Sequence, residues 1–107
     1  MKTFLVILFL SLAVNAQAKE YSNDQIANAI YKTENSVKYP YGIRSINTHG
    51  DKDYARKICL NSIRNAKKRW IKSGKHKDFV SFMGEIYSPP SENKNWVRLV
   101  KYFLKKG

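Results

Sequence analysis

Acidic side chains are scarce in this sequence: eight Asp and Glu stand against twenty Lys and Arg, for a formal net charge of +12. A single cysteine, Cys59, leaves no internal disulfide to form. The two histidines, His49 and His76, lie apart and lack the Cys and His spacing of a zinc site, and no glycine-rich phosphate-binding motif occurs. These absences predict a protein with no metal and no cofactor, and the charge favours an anionic partner.

Long apolar runs are also missing, with one exception at the N-terminus. Lys2 precedes an apolar stretch over residues 4–14, and Ala-Gln-Ala follows at residues 16–18. This pattern is typical of a secretory signal peptide over residues 1–18, and the stretch is shorter than the roughly 20 residues that span a bilayer. We therefore predict export to the periplasm or the extracellular space, without stable membrane insertion after cleavage; a retained anchor is the alternative.

Residues 19–107 are predicted to form one small domain, near the lower size limit for independent folding. No repeat or long linker divides them, and we expect a monomer. Cys59 falls on the apolar side of a predicted helix, so we expect it to be buried as a small hydrophobic residue.

The predicted fold class is all-α, with about four helices and a short extended segment after the first. Polar capping residues mark the helix starts: Ser22 with Gln25 as a capping box, Asp51 or Asp53, Asp78, and Ser91 or Asn93. The ends are predicted at Thr33 or Glu34, near Lys72, and before the Pro89-Pro90 pair. On the third helix, the spacing predicts that Phe79, Phe82, Met83 and Ile86 face inward.

Glu34 is the acid best placed to act in catalysis. It lies in the last turn of the first predicted helix, where the helix dipole disfavours a carboxylate. Burial among Tyr31, Tyr39, Tyr41 and Ile43 would act in the same direction and raise its pKa, as a general acid requires. The alternative is a solvated glutamate on an amphipathic helix.

Three short segments, in order along the chain, resemble the soluble lytic transglycosylase type of the lysozyme-like superfamily. They are Glu34-Asn35-Ser36, Tyr41-Gly42-Ile43 and Ile86-Tyr87-Ser88-Pro89-Pro90. The chain departs from that family where Ser45 replaces an expected glutamine and where Ser-Pro-Pro replaces Asn-Ala-Gly. The resemblance implies a lysozyme-like fold and peptidoglycan glycan strands as the partner.

In this resemblance Glu34 matches the catalytic acid, Gly42 the glycine of a Gly-Leu pair, and Tyr87 a late tyrosine near the acid. It implies cleavage of the β-1,4 bond, in which Glu34 protonates the glycosidic oxygen and then serves as base for the sugar's own 6-hydroxyl. The product would be a 1,6-anhydro sugar, and no second carboxylate is needed. A hydrolase normally uses two carboxylates, and we interpret Asp51 and Asp53 as helix caps.

Further substrate contacts are predicted at four residues besides Gly42. Tyr41 and Tyr87 are candidates to line a saccharide groove, because aromatic rings stack on sugar faces. Ser45 occupies a position that contacts substrate in the family. Asn95 belongs to a segment that we expect to shape a loop and a helix cap, and it is a further candidate to reach substrate.

Two other functions fit the residues. One is a non-catalytic cationic protein that binds an anionic cell-wall polymer, or nucleic acid without sequence specificity, through its basic helices. The other is membrane action by the basic, amphipathic final helix. The apolar face of that helix is more simply explained as the packing surface of a small domain.

Overall fold

The computed structural model describes residues 20–107, so the predicted signal peptide lies outside the described residues. Four α-helices follow one another: α1 (Asn23–Glu34), α2 (Lys52–Lys72), α3 (Phe79–Tyr87) and α4 (Asn93–Lys106). Single 3₁₀ turns cover Pro40–Gly42 and Pro90–Glu92. The all-α prediction is confirmed, and within residues 20–107 no helix has the length and apolar character to cross a membrane.

The starts of α1, α2 and α3 use capping residues that the sequence indicates. Ser22 accepts a hydrogen bond from the backbone N–H of Gln25 at 3.1 Å, and the Gln25 side chain accepts one from the N–H of Ser22 at 2.8 Å, which completes a capping box. Asp51 caps α2 through the N–H of Tyr54, and Asp78 caps α3 through the N–H of Ser81. The prediction that Ser91 or Asn93 caps α4 is wrong, because no side chain caps this helix, which begins at Asn93 after the second 3₁₀ turn.

The segment after α1 differs from the prediction of a short extended stretch. It contains the 3₁₀ turn Pro40–Gly42, and the described residues include no strand. Tyr41 and Gly42 both have positive φ, at 61° and 71°, which turns the chain sharply back towards the end of α1. The turn packs on both α1 and α2.

The core lies where α1 packs on α2 and α4, and where α3 packs on α2 and α4. Cys59 is fully buried, as predicted, within the stripe of α2 that faces this core. The fully buried side chains of largest volume are Tyr41, Ile30, Ile63, Met83, Val100 and Cys59.

The prediction that Ile86 faces inward is wrong, since its side chain is 45% exposed. The buried residues of α3 are Phe79, Val80, Met83 and Gly84. A Cβ on Gly84 would lie 2.6 Å from Val97 and 3.2 Å from Trp96, so α3 meets α4 through its glycine. This close approach turns Ile86 out of the interface.

Candidate functional site

Glu34 is the last residue of α1, and its side chain is half-buried. The helix ends there because Asn35 adopts the left-handed conformation (φ 45°) and closes the last turn with an N–H hydrogen bond to the carbonyl of Tyr31 at 3.0 Å. The three ion pairs among residues 20–107 involve other acids, and no donor from that range hydrogen-bonds the Glu34 carboxyl group. Its oxygens are therefore available to an external partner.

The carboxyl group of Glu34 lies directly against the α-carbon of Gly42. A Cβ placed on Gly42 would be 1.7 Å from Oε2 of Glu34 and 2.4 Å from its Cδ, so no side chain fits here while Glu34 keeps its position. The positive φ of Gly42 also favours glycine. The 3₁₀ turn thus forms a wall against which the carboxyl group packs.

The pKa of Glu34 is raised above its ordinary value. Burial is the main cause, and the negative charge of Glu92 adds to it, while the positive charge of Arg44 acts in the opposite direction. The protonated form of the carboxyl group, which is the state a general acid needs, is therefore more stable here than in an exposed glutamate. Sequence reasoning missed Glu92, which lies 58 positions along the chain and carries no local motif.

Tyr87 connects α3 to the turn that supports Glu34. Its hydroxyl donates a hydrogen bond to the backbone carbonyl of Tyr41 at 2.5 Å, and its ring packs on Trp96 with 5.5 Å between ring centroids. Burial raises the pKa of the Tyr87 phenol, and the nearby Cys59 and Glu34 raise it further. Tyr87 thus lies close to Glu34 but has a structural role in the turn.

Tyr41, predicted to line a saccharide groove, has a buried ring that is 1% exposed. The ring packs on Tyr31 with centroids 5.0 Å apart, and its hydroxyl accepts a hydrogen bond from Arg56 at 3.1 Å. A buried ring cannot stack on a sugar, so the predicted stacking role is wrong for Tyr41. These contacts of the Tyr41 side chain fix the backbone of the 3₁₀ turn, including the Tyr41 carbonyl that Tyr87 binds.

A shallow depression of about 240 Å³ brings together three of the predicted substrate-binding residues, Gly42, Ser45 and Tyr87. Arg44 and the exposed Ile86 also line it. Glu34 itself does not line this depression, but its carboxyl group contacts Gly42, which does. Asn95 does not line it; it lies exposed on α4 and accepts a hydrogen bond from Arg98 at 2.6 Å.

A larger depression of about 450 Å³ lies between α1, the start of α2 and the end of α4. Lys32, Lys52, Asp53 and Arg56 contribute its charges. Arg56 is already occupied, because it donates to Asp24, Asn28 and Tyr41. The residues from 20 to 107 form no cluster of His, Cys, Asp and Glu that could hold a metal ion.

Comparison of the chain with protein-family models, with curated proteins and with solved structures gave no match.

Proposed function

We propose that this protein cleaves the β-1,4 glycosidic bond of peptidoglycan, with Glu34 as the general acid and base. The observation that carries the proposal is the state of this side chain: half-buried, without a hydrogen-bond partner from residues 20–107, held against Gly42, and raised in pKa. Burial and a negative neighbour favour the protonated form of a carboxyl group, and this form can donate its proton to a leaving oxygen. A solvated surface glutamate would be neither buried against the turn nor raised in pKa.

The proposed chemistry has two steps. The protonated Glu34 gives its proton to the glycosidic oxygen as the bond to the sugar breaks. The resulting carboxylate then takes the proton of the sugar's own 6-hydroxyl. The hydroxyl oxygen attacks the sugar carbon that the glycosidic oxygen has left, and this closes a 1,6-anhydro ring. The carboxyl group ends the cycle protonated, as it began.

We favour this transglycosylase outcome over hydrolysis because of the other acids. Asp51 is engaged in capping α2, and Asp53 lines the larger depression beside Arg56. Neither is among the charges that shift the pKa of Glu34. Glu92 does shift this pKa, and it is therefore the one candidate for a second carboxylate in a hydrolytic variant.

Mass analysis of purified cell-wall sacculi after digestion tests the proposal. We expect anhydro-muropeptides with the unaltered protein and none with Glu34→Gln, which keeps the size of the side chain and removes its acid. Glu85→Gln is the matched control, because Glu85 is an exposed glutamate paired with Lys77. Hydrated products that disappear in Glu92→Gln would identify a hydrolase, and full activity in Glu34→Gln would reject the proposed mechanism.

A further inference from the structure

The most uneven charge distribution in the described residues lies on α2. From Tyr54 to Lys77 the sequence contains nine Lys and Arg and no Asp or Glu. Four of the nine have partners within residues 20–107: Arg56 with Asp24, Lys77 with Glu85, Lys67 with the carbonyl of Tyr21, and Lys75 over the Trp70 ring. The other five are exposed and make no hydrogen bond or ion pair in that range: Lys57, Arg64, Lys68, Arg69 and Lys72.

Four of these five form a straight row, which we call the basic stripe: Lys57, Arg64, Lys68 and Lys72. Their spacings of seven, four and four place them within about 80° of the helix circumference. The buried residues of α2, Ala55, Cys59, Ile63 and Ala66, lie on the opposite side. At about 1.5 Å per residue, the stripe is about 22 Å long.

Four unpaired cations in a line repel one another, so an elongated anion that lies along them gains from each. A linear polymer with regular negative charges matches this geometry better than a compact anion. The two arginines among the five, Arg64 in the stripe and Arg69 at its side, can each bind a phosphate group with two hydrogen bonds through the planar guanidinium.

The surroundings of the stripe distinguish a phosphate polymer with bases from one without. Proteins that bind single-stranded nucleic acid combine a cationic track with exposed aromatic rings on which successive bases stack. Between Lys57 and Lys72 the one aromatic residue is Trp70, which packs on Phe79 and donates its indole N–H to the carbonyl of Lys77. Tyr54, 45% exposed, adds a single ring at one end of the stripe.

The basic residues of α4 offer a weaker surface. Lys94, Arg98, Lys101 and Lys105 also share one side of their helix, but Lys101 is paired with Asp78 at 3.3 Å and Glu92 lies just before Lys94. These acids interrupt the row, whereas Asp53, the one acid of α2, lies before the stripe, and no acid occurs from Tyr54 to Lys77.

We infer that the basic stripe of α2 binds a linear phosphodiester polymer that lacks bases, of the poly(glycerol phosphate) type, through its backbone phosphates. This interaction is independent of Glu34. It would hold the protein on an anionic wall polymer.

The test is the salt dependence of binding to fluorescently labelled poly(glycerol phosphate). Arg64→Glu with Lys68→Glu reverses two charges of the stripe, and Lys94→Glu with Arg98→Glu makes the same change in net charge at the same spacing on α4. We expect the stripe variant to bind at least about tenfold more weakly and to lose about 1.4 from the slope of log K against log salt, as for two lost phosphate contacts. The α4 variant should change each quantity much less.

The double variant Arg64→Gln with Lys68→Gln removes the same two charges without reversing them. It controls for a folding defect caused by the two glutamates, and it should also weaken binding. Equal losses in the stripe and α4 variants would overturn the inference, because net charge alone would then explain binding. Tighter binding to an oligothymidine of matched charge would overturn it in favour of base stacking. Glu34→Gln should bind the polymer with the same affinity as the unaltered protein. The binding result can therefore be interpreted even if the catalytic proposal fails.

Discussion

The carboxyl group of Glu34 and the α-carbon of Gly42 are in direct contact, although eight positions separate them in the chain. The 1.7 Å between Oε2 and a Cβ built on Gly42 shows how little space remains. The contact holds the half-buried carboxyl group against the turn, and burial of this group is the main reason for its raised pKa. Because the position of the carboxyl group depends on one glycine, replacement of Gly42 tests the site directly.

Gly42→Ala should abolish wall cleavage at a modest cost in stability. The new methyl group needs the space of Oε2, and Glu34 can rotate its flexible side chain towards water, which removes it from its catalytic position. The strain of an alanine at positive φ costs about 1 kcal/mol. Urea denaturation and sacculus digestion measure the two effects separately.

Gly50→Ala is the matched control for Gly42→Ala. Gly50 has nearly the same φ, 74° against 71°, but a Cβ there would find its nearest atom, the Val37 carbonyl oxygen, at 3.9 Å. The two variants should lose similar stability, and Gly50→Ala should keep its activity. If both retain activity, contact between Gly42 and Glu34 does not position the acid.

Tyr87→Phe should lower the free energy of unfolding by about 1–3 kcal/mol, because it leaves the Tyr41 carbonyl without its donor in a part-buried site. The change should also reduce activity, since the turn that holds Gly42 loses its link to α3. Tyr102→Phe removes a hydroxyl that is bonded only to Lys106 on an exposed ring, and should cost less than about 0.5 kcal/mol. Equal costs for the two variants would contradict the role assigned to Tyr87.

Charge changes at Glu92 and Arg44 should move the pKa of Glu34 in opposite directions. Glu92→Gln removes a negative neighbour and should lower this pKa, whereas Arg44→Gln removes a positive neighbour and should raise it. Carbon-detected NMR titration of the Glu34 carboxyl group reads both shifts directly. A Glu34 pKa that neither variant changes would show that these charges lie too far away to act.

The same pKa makes the contribution of Glu34 to stability depend on pH. A carboxyl group whose pKa is higher in the folded than in the unfolded state holds its proton more tightly when folded. Its contribution to stability is therefore present at low pH and is lost as the pH rises from the unfolded value through the folded one. Relative to Glu34→Gln, the unaltered protein should become less stable across that interval, as urea denaturation at a series of pH values would show. A difference that is constant with pH would contradict the raised pKa.

Most helix boundaries were predictable because they rest on local chemistry; the start of α4, which has no side-chain cap, is the exception. Ser22 with Gln25, Asp51 and Asp78 cap helices through bonds to residues three positions away, so their signals are complete within one turn of sequence. The end of α1 at Glu34 was likewise predictable from Asn35 and the proline that follows.

The orientation of α3 was not predictable from its own sequence. The apolar spacing points to an arc centred between Phe79 and Ile86, whereas the buried arc is turned by about 80° towards Val80 and Gly84. The cause is in α4, where Trp96 and Val97 fill the space that Gly84 leaves. A glycine carries no hydrophobic signal, so periodicity cannot reveal a helix contact that is made through its missing side chain.

The candidate site shows the same division between local and distant information. Glu34 and Gly42 lie in short segments that resemble transglycosylase motifs, so both residues could be identified from the sequence, although the 3₁₀ turn that contains Gly42 was not predicted. The influence of Glu92 and the buried state of Tyr41 depend on how distant segments pack. Arg56 on α2 holds the Tyr41 hydroxyl, and no pattern near Tyr41 indicates that partner.

Cys59 should be unreactive in the folded protein. Burial raises the pKa of its thiol to about 11, which leaves about one molecule in a thousand as thiolate at pH 8, and the side chain is fully inaccessible. Iodoacetamide at pH 8 should therefore modify Cys59 after denaturation in urea and not before. Asn65→Cys in a Cys59→Ala background places a thiol on the exposed side of the same helix and should react readily when folded.

Cys59→Ala itself should cost about 1 kcal/mol through the small cavity it leaves. Rapid labelling of Cys59 in the native protein would mean that the packing between α2 and Tyr87 opens, and with it the support of the Gly42 turn.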